Sequence, residues 1–412
     1  MRAKLPAYTA RRLRRLADNT RMTSGKVLVL DGDQRSALAV VRSLGRAGVS
    51  VLVGESSARP LAGASKYCAG VLLYPSPQRE PQAFVDAVAT LARQHDVSVV
   101  LPMTDVTTGL ITEARARFPN ARLPLPDAAT FRRLSNKQEL AAIAQQLGVP
   151  VPKTVAINGL PDLEAALSEL RAPFVVKPVQ SKIWFEGQWI ATSVRYAADA
   201  AQLRDIVLRT PWLGHVTLLV QECIRGEGQG VFALYDHGRP LAWFAHRRVR
   251  EKPPSGGISV VCESVPLDAR MREHAERLLS AAGWHGVAMV EFKVAKDGSP
   301  YVIEVNGRFW GSLQLAVDSG VDFPLMLYRL AMGETVTATN GFASGRRSRW
   351  LLGDLDHLYL VLRGRGTEPG TGAKLRAIGR FLNFFEPHTR FEINRFDDFR
   401  PFLRELSNYF AR

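Results

Sequence analysis

Cysteine is scarce in this chain, and long hydrophobic runs are missing from it. The 412 residues include three cysteines, Cys68, Cys223 and Cys262, with no paired spacing. Such usage points to a reducing compartment, taken to be the cytoplasm, and gives no sign of structural zinc. No stretch approaches the roughly 18 uninterrupted apolar residues of a spanning helix, so we expect no membrane span. The arginine-rich N-terminus also lacks the apolar core of a secretory signal.

Several common catalytic patterns are missing as well. The first predicted strand ends in Asp31-Gly32-Asp33-Gln34 rather than in G-x-G-x-x-G, which argues against a dinucleotide site. No internal repeat and no Ser/His/Asp or Cys/His nucleophile pattern is visible.

The positive charge of the chain lies mostly at its ends. The net charge is +15, of which residues 1–25 supply +6 and residues 336–412 supply +5. The 310 residues between them carry only +4, so the basic balance does not indicate a nucleic-acid site in the centre. The first segment is either a solvated tail or a contact for an acidic partner.

The order of predicted elements indicates an α/β protein of two or three domains. Strands at 26–31 and 50–54 flank a helical pattern at 35–47, which is a βαβ unit. A strand at 97–102 places Asp105 at a carboxyl end, where such sheets bind ligands, although a helix-start or loop role is the simpler interpretation. Further predicted elements are helices at 82–95, 135–147, 268–282 and 311–332, and strands at 174–178, 217–222, 231–235 and 241–250.

Two apolar stretches, 286–294 and 301–306, are predicted to form a hairpin around Asp297-Gly298. With a two-residue loop, Glu291 and Glu304 face each other, and Asn306 lies on the same face. Opposed side chains have Cβ atoms roughly 5 Å apart, where like charges are destabilising. A divalent cation such as Mg²⁺ would relieve that repulsion. The alternative is a solvated hairpin face.

Two further clusters have open interpretations. His246, Arg248 and Arg250 share one strand face by alternation, which predicts either an anion grip near Gly256-Gly257 or a solvated face. The three glycines at 226, 228 and 230 precede a strand rather than a helix, so a flexible turn is favoured over a phosphate loop.

A set of charged and polar residues occurs in the order seen in the ATP-grasp superfamily. The resemblance covers roughly 26–335 and is closest to carbamoyl-phosphate synthase large chains and to D-alanine ligase-like carboxylate–amine ligases. It implies a pre-ATP-grasp domain at 26–124, a two-subdomain ATP-grasp domain at 125–335 and an extension of unknown role at 336–412. The residues that carry it are Lys137, Lys177, Glu222, Glu291, Glu304, Asn306 and Arg308.

The resemblance implies roles for these residues around ATP. Lys137 and Lys177 would contact the phosphates, because a lysine is a compact point charge. The segment Gln221-Glu222-Cys223-Ile224 resembles the hinge that holds adenine, with the side chain of Glu222 accepting a hydrogen bond from the amine.

The same resemblance implies the metal set and the catalytic arginine. Glu291, Glu304 and Asn306 would bind two Mg²⁺ ions, which Mn²⁺ could replace. Arg308 would hold the transferred group or the substrate carboxylate. Arg248 is the second catalytic candidate, from the strand pattern above.

Two stretches depart from the family pattern. Residues 181–187, where relatives have a glycine-rich triphosphate loop, contain one glycine and two aromatic residues. Gly307 stands where proline is frequent, and glycine loosens the turn before Arg308.

The resemblance predicts a ligase that joins a small carboxylic acid to an amine through an acyl phosphate and releases ADP and phosphate. The alternatives are activation of bicarbonate as in carbamoyl-phosphate synthase, and a non-catalytic ATP-binding module. A homodimer is common among such relatives.

Overall fold

A computed structural model describes residues 25–179, 182–186, 188–191, 194–210, 216–339, 341–365 and 370–411. The expected basic tail therefore lies outside the described residues, apart from Gly25. Among the described residues, no helix is both long and apolar enough to cross a bilayer.

The N-terminal part is a parallel four-stranded sheet with helices around it. Its strands β1 (Lys26–Val29), β2 (Val51–Glu55), β3 (Cys68–Leu73) and β4 (Val97–Leu101) lie in the order β3-β2-β1-β4. Val27, Leu28 and Val29 are fully buried, as expected of a continuous apolar run in a parallel sheet. The helices are α1 (Arg35–Arg46), α2 (Pro81–Gln94) and α3 (Asp105–Glu113). The predicted βαβ unit is confirmed.

A pair of short helices connects this sheet to the next. They are α4 (Ala128–Ser135) and α5 (Lys137–Gln146). The helix predicted at 135–147 begins two residues later: Asn136 is its N-cap, and the Oδ1 of Asn136 accepts from the backbone N–H groups of Gln138 and Glu139. The helix α4 before it was not predicted.

A small antiparallel sheet follows, with strand order β5-β10-β6-β9. Two helices and a separate two-stranded hairpin, β7 with β8, accompany it. Their bounds are β5 Thr154–Ile157, α6 Leu160–Glu169, β6 Phe174–Pro178, β7 Lys182–Phe185, β8 Gln188–Ala191, β9 Arg195–Ala197, α7 Ala200–Leu208 and β10 Leu218–Glu222.

The third sheet has seven strands in the order β15-β14-β11-β12-β13-β16-β17. Its pairs are antiparallel except for β16 with β17. The elements are β11 Gly226–Asp236, β12 Arg239–Lys252, β13 Ile258–Ser264, α8 Ala269–Ala281, β14 Gly286–Ala295, β15 Pro300–Asn306, α9 Leu313–Asp318, α10 Phe323–Ala331, β16 Arg347–Arg349, α11 Leu351–Leu360, α12 Thr371–Leu382, β17 Thr389–Phe391 and α13 Arg400–Phe410.

The glycine-rich stretch is part of a strand. Gly226, Gly228 and Gly230 lie in β11 and pair with β14, so the expected flexible turn is wrong. A Cβ on Gly226 would lie 1.9 Å from the carbonyl oxygen of Val294. Glycine is needed here because the two backbones approach closely.

The central sheet is covered on both faces. One face, with Val231, Trp243 and Val290, packs against α4, α5 and α8. The other face, with Phe232 and Phe244, shares a core with β1, β2, α1, α9 and α10. The parallel sheet and the seven-stranded sheet therefore share one apolar core. The polar residues described below lie beside this core, on the same face of the seven-stranded sheet as Phe232.

The extension at 336–412 completes this sheet. Its strands β16 and β17 continue the sheet from β13, and its helices α11 and α12 pack together. The predicted long helix at 311–332 is two helices, α9 and α10, separated by a turn in which Gly320 has a φ of +100°.

Candidate active site

The hairpin of β14 and β15 places Glu291 directly opposite Glu304, as predicted. The loop itself differs from the prediction. Ala295 and Ser299 are hydrogen-bonded, so the loop has three residues, 296–298, with Gly298 at a φ of +82°. A loop of odd length would shift the register, but Ile303 is an extra residue in β15 and restores it. The opposed pair thus depends on a bulge.

Two cations neutralise these carboxylates. Arg248 Nη2 lies 2.6 Å from Glu291 Oε2, and Lys137 Nζ lies 3.3 Å from Glu304 Oε2. Asn306 Nδ2 donates to Glu304 Oε1 at 3.1 Å. The Glu291 and Glu304 side chains keep 15% and 27% of their exposure, so both face a partly open cleft.

The two carboxylates differ in acidity. Burial raises the pKa of Glu304, but Lys137, Asn306 and Lys177 together outweigh it and lower the pKa to about 2. Burial also raises the pKa of Glu291, and there Arg248 compensates only in part, so its pKa stays above the ordinary value. Glu304 is therefore the more strongly anionic of the pair.

Lys177 approaches the cleft from the second sheet. It lies on β6, beside Leu219 of β10, and is 3% exposed. Burial lowers its pKa to about 8, the neighbouring Lys137 adds to this, and Glu304 and Glu291 act in the opposite direction. Lys137 is also shielded, with 9% of its side chain exposed, so neither lysine is an ordinary surface residue.

Arg308 is held by Asp105, a residue of the helix that follows the last strand of the parallel sheet. Its Nε and Nη2 donate to the two carboxylate oxygens of Asp105 at 3.0 and 3.1 Å, and Nη2 also donates to Asn306 Oδ1 at 3.1 Å. Asp105 begins α3, which Thr104 caps. Asp105 thus starts a helix, as the simpler interpretation held, without being its N-cap, and it also makes a bidentate ion pair with Arg308.

Asp31 organises the loop that carries Asp105, and the sequence reading did not single it out. Its Oδ2 accepts from Thr107 Oγ1 at 2.6 Å and from the N–H groups of Met103 and Thr104 at 2.9 and 3.0 Å. Burial raises its pKa to about 6, although these hydrogen bonds lower it. A carboxylate directly after a buried parallel strand was the available signal.

The strand β12 presents its charged residues differently from the prediction. Val249 is an extra residue opposite β13, and this bulge turns Arg250 away to pair with Asp354 of α11 at 2.7 Å. His246 is 1% exposed in the core, so the solvated-face interpretation is wrong too. Arg248 alone of the three reaches the carboxylates.

Glu251 is a second residue that the sequence reading missed. Its Oε1 accepts from Arg248 Nη1 at 2.9 Å and from the N–H of Gly257 at 3.3 Å. Glu251 thereby connects Arg248 to the loop at 253–257. The available sequence signal was an acidic residue directly after the predicted arginine-rich strand at 241–250.

The predicted hinge residues lie at the end of β10, where they hydrogen-bond with neighbouring segments of the small sheet. The Glu222 side chain accepts from the N–H of Arg171 at 3.0 Å, which differs from the expected role toward adenine. Its own N–H donates to Lys153 O, and the N–H of Cys223 donates to Pro173 O. Ile224 follows as a half-buried residue.

Comparison with known proteins adds three kinds of similarity. The family model "ATP-grasp in the biosynthetic pathway with Ter operon" matches residues 215–351. A D-alanine–D-alanine ligase from Anaeromyxobacter sp. (strain Fw109-5) is 28% identical over 230 residues, which cover 48% of this chain and 66% of that ligase. The matched part therefore spans just under two thirds of that relative.

Solved structures resemble most of the chain. An L-amino acid ligase from Bacillus licheniformis is 22% identical with a TM-score of 0.59, over 75% of this chain and 74% of that one. An ADP complex of N5-carboxyaminoimidazole ribonucleotide synthetase is 13% identical with a TM-score of 0.65, over 87% and 98%. These similarities confirm the resemblance to the ATP-grasp superfamily, and the chain has the ATP-grasp fold.

Proposed function

We propose that this protein is an ATP-dependent carboxylate–amine ligase. One observation carries the proposal: Lys137 from a helix, Lys177 from the small sheet and the Glu291–Glu304 pair from the central sheet converge in one cleft. Two cations and two carboxylates in such a place suit a nucleoside triphosphate with its counter-ions.

The phosphates would lie between the two lysines and the carboxylate pair. Lys177 is already desolvated, so a phosphate oxygen there would gain a strong charge-assisted contact. The adenine would lie at the end of β10. Because the N–H groups of Glu222 and Cys223 are already engaged, the base edge would meet the carbonyl of Glu222 and the N–H of Ile224 instead.

Glu291, Glu304 and Asn306 fit Mg²⁺ by their chemistry. They are two carboxylates and one amide oxygen on one hairpin face, and oxygen is the ligand that Mg²⁺ prefers. Arg248 and Lys137 now pair with these carboxylates, and a divalent ion would supply the same total positive charge. Bound there, one or two Mg²⁺ ions, or Mn²⁺, would offset the charge of the β- and γ-phosphates.

The arginines would act on the acid substrate. Arg308, fixed by Asp105, would orient the carboxylate so that its oxygen attacks the γ-phosphorus while the bond to the β-bridging oxygen breaks and ADP leaves. Arg248, released from Glu291, would neutralise the acyl phosphate. The amine nitrogen then attacks the acyl carbon, loses a proton, and phosphate departs with the C–O electron pair.

A release assay tests the proposal. ADP and phosphate are measured over a matrix of small acids and amines with Mg²⁺–ATP, and amide formation is followed by mass spectrometry. ADP release that requires both an acid and an amine supports the ligase. ADP release with bicarbonate alone would favour the carbamoyl-phosphate-synthase-like alternative, ATP binding without turnover in the whole matrix would favour a binding module, and AMP with pyrophosphate would contradict the mechanism.

A further inference from the structure

A second group of potential ligands lies at the other end of the central sheet. Asp236 ends β11, His237 lies in the following turn, and His285 directly precedes β14. Asp236 Oδ1 lies 2.8 Å from His237 Nδ1 and 3.4 Å from His285 Nδ1, and one ligand atom from each of the three lies within 4.8 Å of the others. None of these residues belongs to the proposed ATP site.

The backbone holds the three residues together. Tyr235 pairs with Gly286 across β11 and β14, which brings Asp236 beside His285. The N–H of Gly238 donates to Trp284 O at 2.7 Å and ties the turn to the loop before β14. Backbone pairing within the sheet therefore sets the positions of the three residues.

The two imidazoles differ in their contacts: His237 Nδ1 shares a hydrogen bond with Asp236 Oδ1, whereas His285 Nδ1 only lies near that oxygen. The two rings stack with centroids 4.1 Å apart. His285 is 17% exposed, and its Nδ1 is shielded from solvent yet makes no hydrogen bond of ordinary geometry. His237 is 78% exposed and can adjust its ring without cost to the core.

We propose that Asp236, His237 and His285 bind a late first-row divalent ion, with Zn²⁺ as the representative. Two imidazole nitrogens and one carboxylate oxygen are ligands that Zn²⁺ accepts in a tetrahedral shell, and Mg²⁺ disfavours imidazole. Three protein ligands leave one position for water. The spacing of cysteines gave no hint of this site because it uses no thiolate.

The ion would act as a structural clamp. His285 and Glu291 are six residues apart along one strand, which is about 20 Å at the usual rise. An ion at His285 therefore cannot touch the proposed phosphate site. It would instead join the β11–β12 turn to the start of β14, the strand that carries Glu291.

The test is zinc binding by the tag-free full-length chain. Isothermal titration with Zn²⁺ is run in millimolar Mg²⁺ and ADP, so that the carboxylate cleft is occupied, and thermal unfolding is recorded with and without Zn²⁺. The variants are H237A and H285A, with H274A as a matched control on α8. His237 is exposed, so H237A will fold even if H285A does not.

We expect one Zn²⁺ per chain, a Kd raised at least about tenfold in H237A and H285A, and an unchanged Kd in H274A. The zinc-dependent rise in melting temperature should disappear in the same two variants. Equal zinc affinity in H237A and the parent would overturn the site, as would the lack of any saturable binding. Neither result bears on the ligase proposal, because ADP release is not the readout.

Discussion

Two regions of the molecule pair basic side chains with carboxylates, and they differ in how far those side chains are buried. In the cleft, Arg248 with Glu291 and Lys137 with Glu304 keep between 9% and 27% of their side-chain exposure. At the contact of the extension with α1, Arg42 and Asp398 are each 1% exposed. Distance does not separate the two sets, since Arg248 and Arg42 lie 2.6 and 2.8 Å from their partners.

The two sets differ in burial and in how completely hydrogen bonds satisfy the charged groups. Arg42 donates to Asp398 and also to the backbone carbonyls of Glu392, Ile393 and Asp398. Asp398 accepts in addition from Ser65 Oγ and the N–H of Lys66. In the cleft, Arg248 contacts Glu291, Glu251 and the carbonyl oxygen of Gly257, and the side chains of Arg248 and Glu291 both remain 15% exposed beside a partly open space. A saturated buried pair serves packing, whereas a partly open set of charges can exchange its partners for a ligand.

The largest effect should come from the cleft. In Glu304→Gln we expect kcat/KM for ADP release to fall roughly 10⁴-fold, about 5 kcal/mol, because a charge that offsets the transferring phosphates is lost. The melting temperature should also fall, because Lys137 and Lys177 lose the anion whose pKa they lower to about 2, so activity is measured at a temperature where the variant is folded. Glu273→Gln, an exposed carboxylate on α8, is the matched control. Activity within tenfold of the parent would place the phosphates elsewhere.

The next largest effect should be on stability alone. Arg42→Met leaves Asp398 buried without its cation, and removing one partner of a buried pair costs about 3–5 kcal/mol. We expect thermal unfolding at a clearly lower temperature, with ADP release by the folded fraction unchanged. A variant that melts like the parent would show that the backbone carbonyls, not the ion pair, hold the extension in place.

The sequence predicted which side chains of the candidate cleft share a face better than it predicted the bounds of the elements around them. Lys177 and the two glutamates lie on apolar strands, and the alternation along a strand fixes which side chains share a face. The facing of Glu291 and Glu304 came out right although the loop did not, because the bulge at Ile303 offsets an odd-length loop. Periodicity cannot report a bulge, and for the same reason the direction of Arg250 was missed.

The extension and the long-range pairs could not be read from local pattern. Strands β16 and β17 have three residues each and include arginines, so neither shows a period. Asp105 and Arg308 are 203 positions apart, and only the packing of two sheets joins them. Local sequence patterns indicate faces and termini, but they do not say which distant elements meet.

A rise in pH should act on Lys177 with two smaller effects of opposite sign, one on activity and one on stability. If its ammonium binds phosphate, kcat/KM should fall about tenfold per pH unit above its pKa of about 8. Stability should change in the other direction. Between pH 8 and the ordinary lysine value of 10.5 the unfolded chain keeps a proton that the folded chain has lost, so this group makes the fold more stable as the pH rises.

Lys177→Arg is the control for both measurements. A guanidinium does not titrate in this range, so the alkaline limb in the pH profile of kcat/KM should vanish. Steady-state ADP release and thermal unfolding, each recorded over pH 7 to 10, measure the two trends. An alkaline limb that persists in Lys177→Arg would assign the titration to another group.

The smallest effect should come from an exposed neighbour of the buried pair. Arg46 lies one helical turn after Arg42 and pairs with Asp397 at 2.6 Å, but the two side chains are 39% and 50% exposed. Asp397→Asn should therefore cost no more than about 1 kcal/mol, and the small shift in melting temperature should fade in high salt. The two pairs share one helix and adjacent partner residues, so they differ mainly in burial and in saturation. If Asp397→Asn lowered the melting temperature as much as Arg42→Met, burial would not be what distinguishes structural charge from exchangeable charge in this protein.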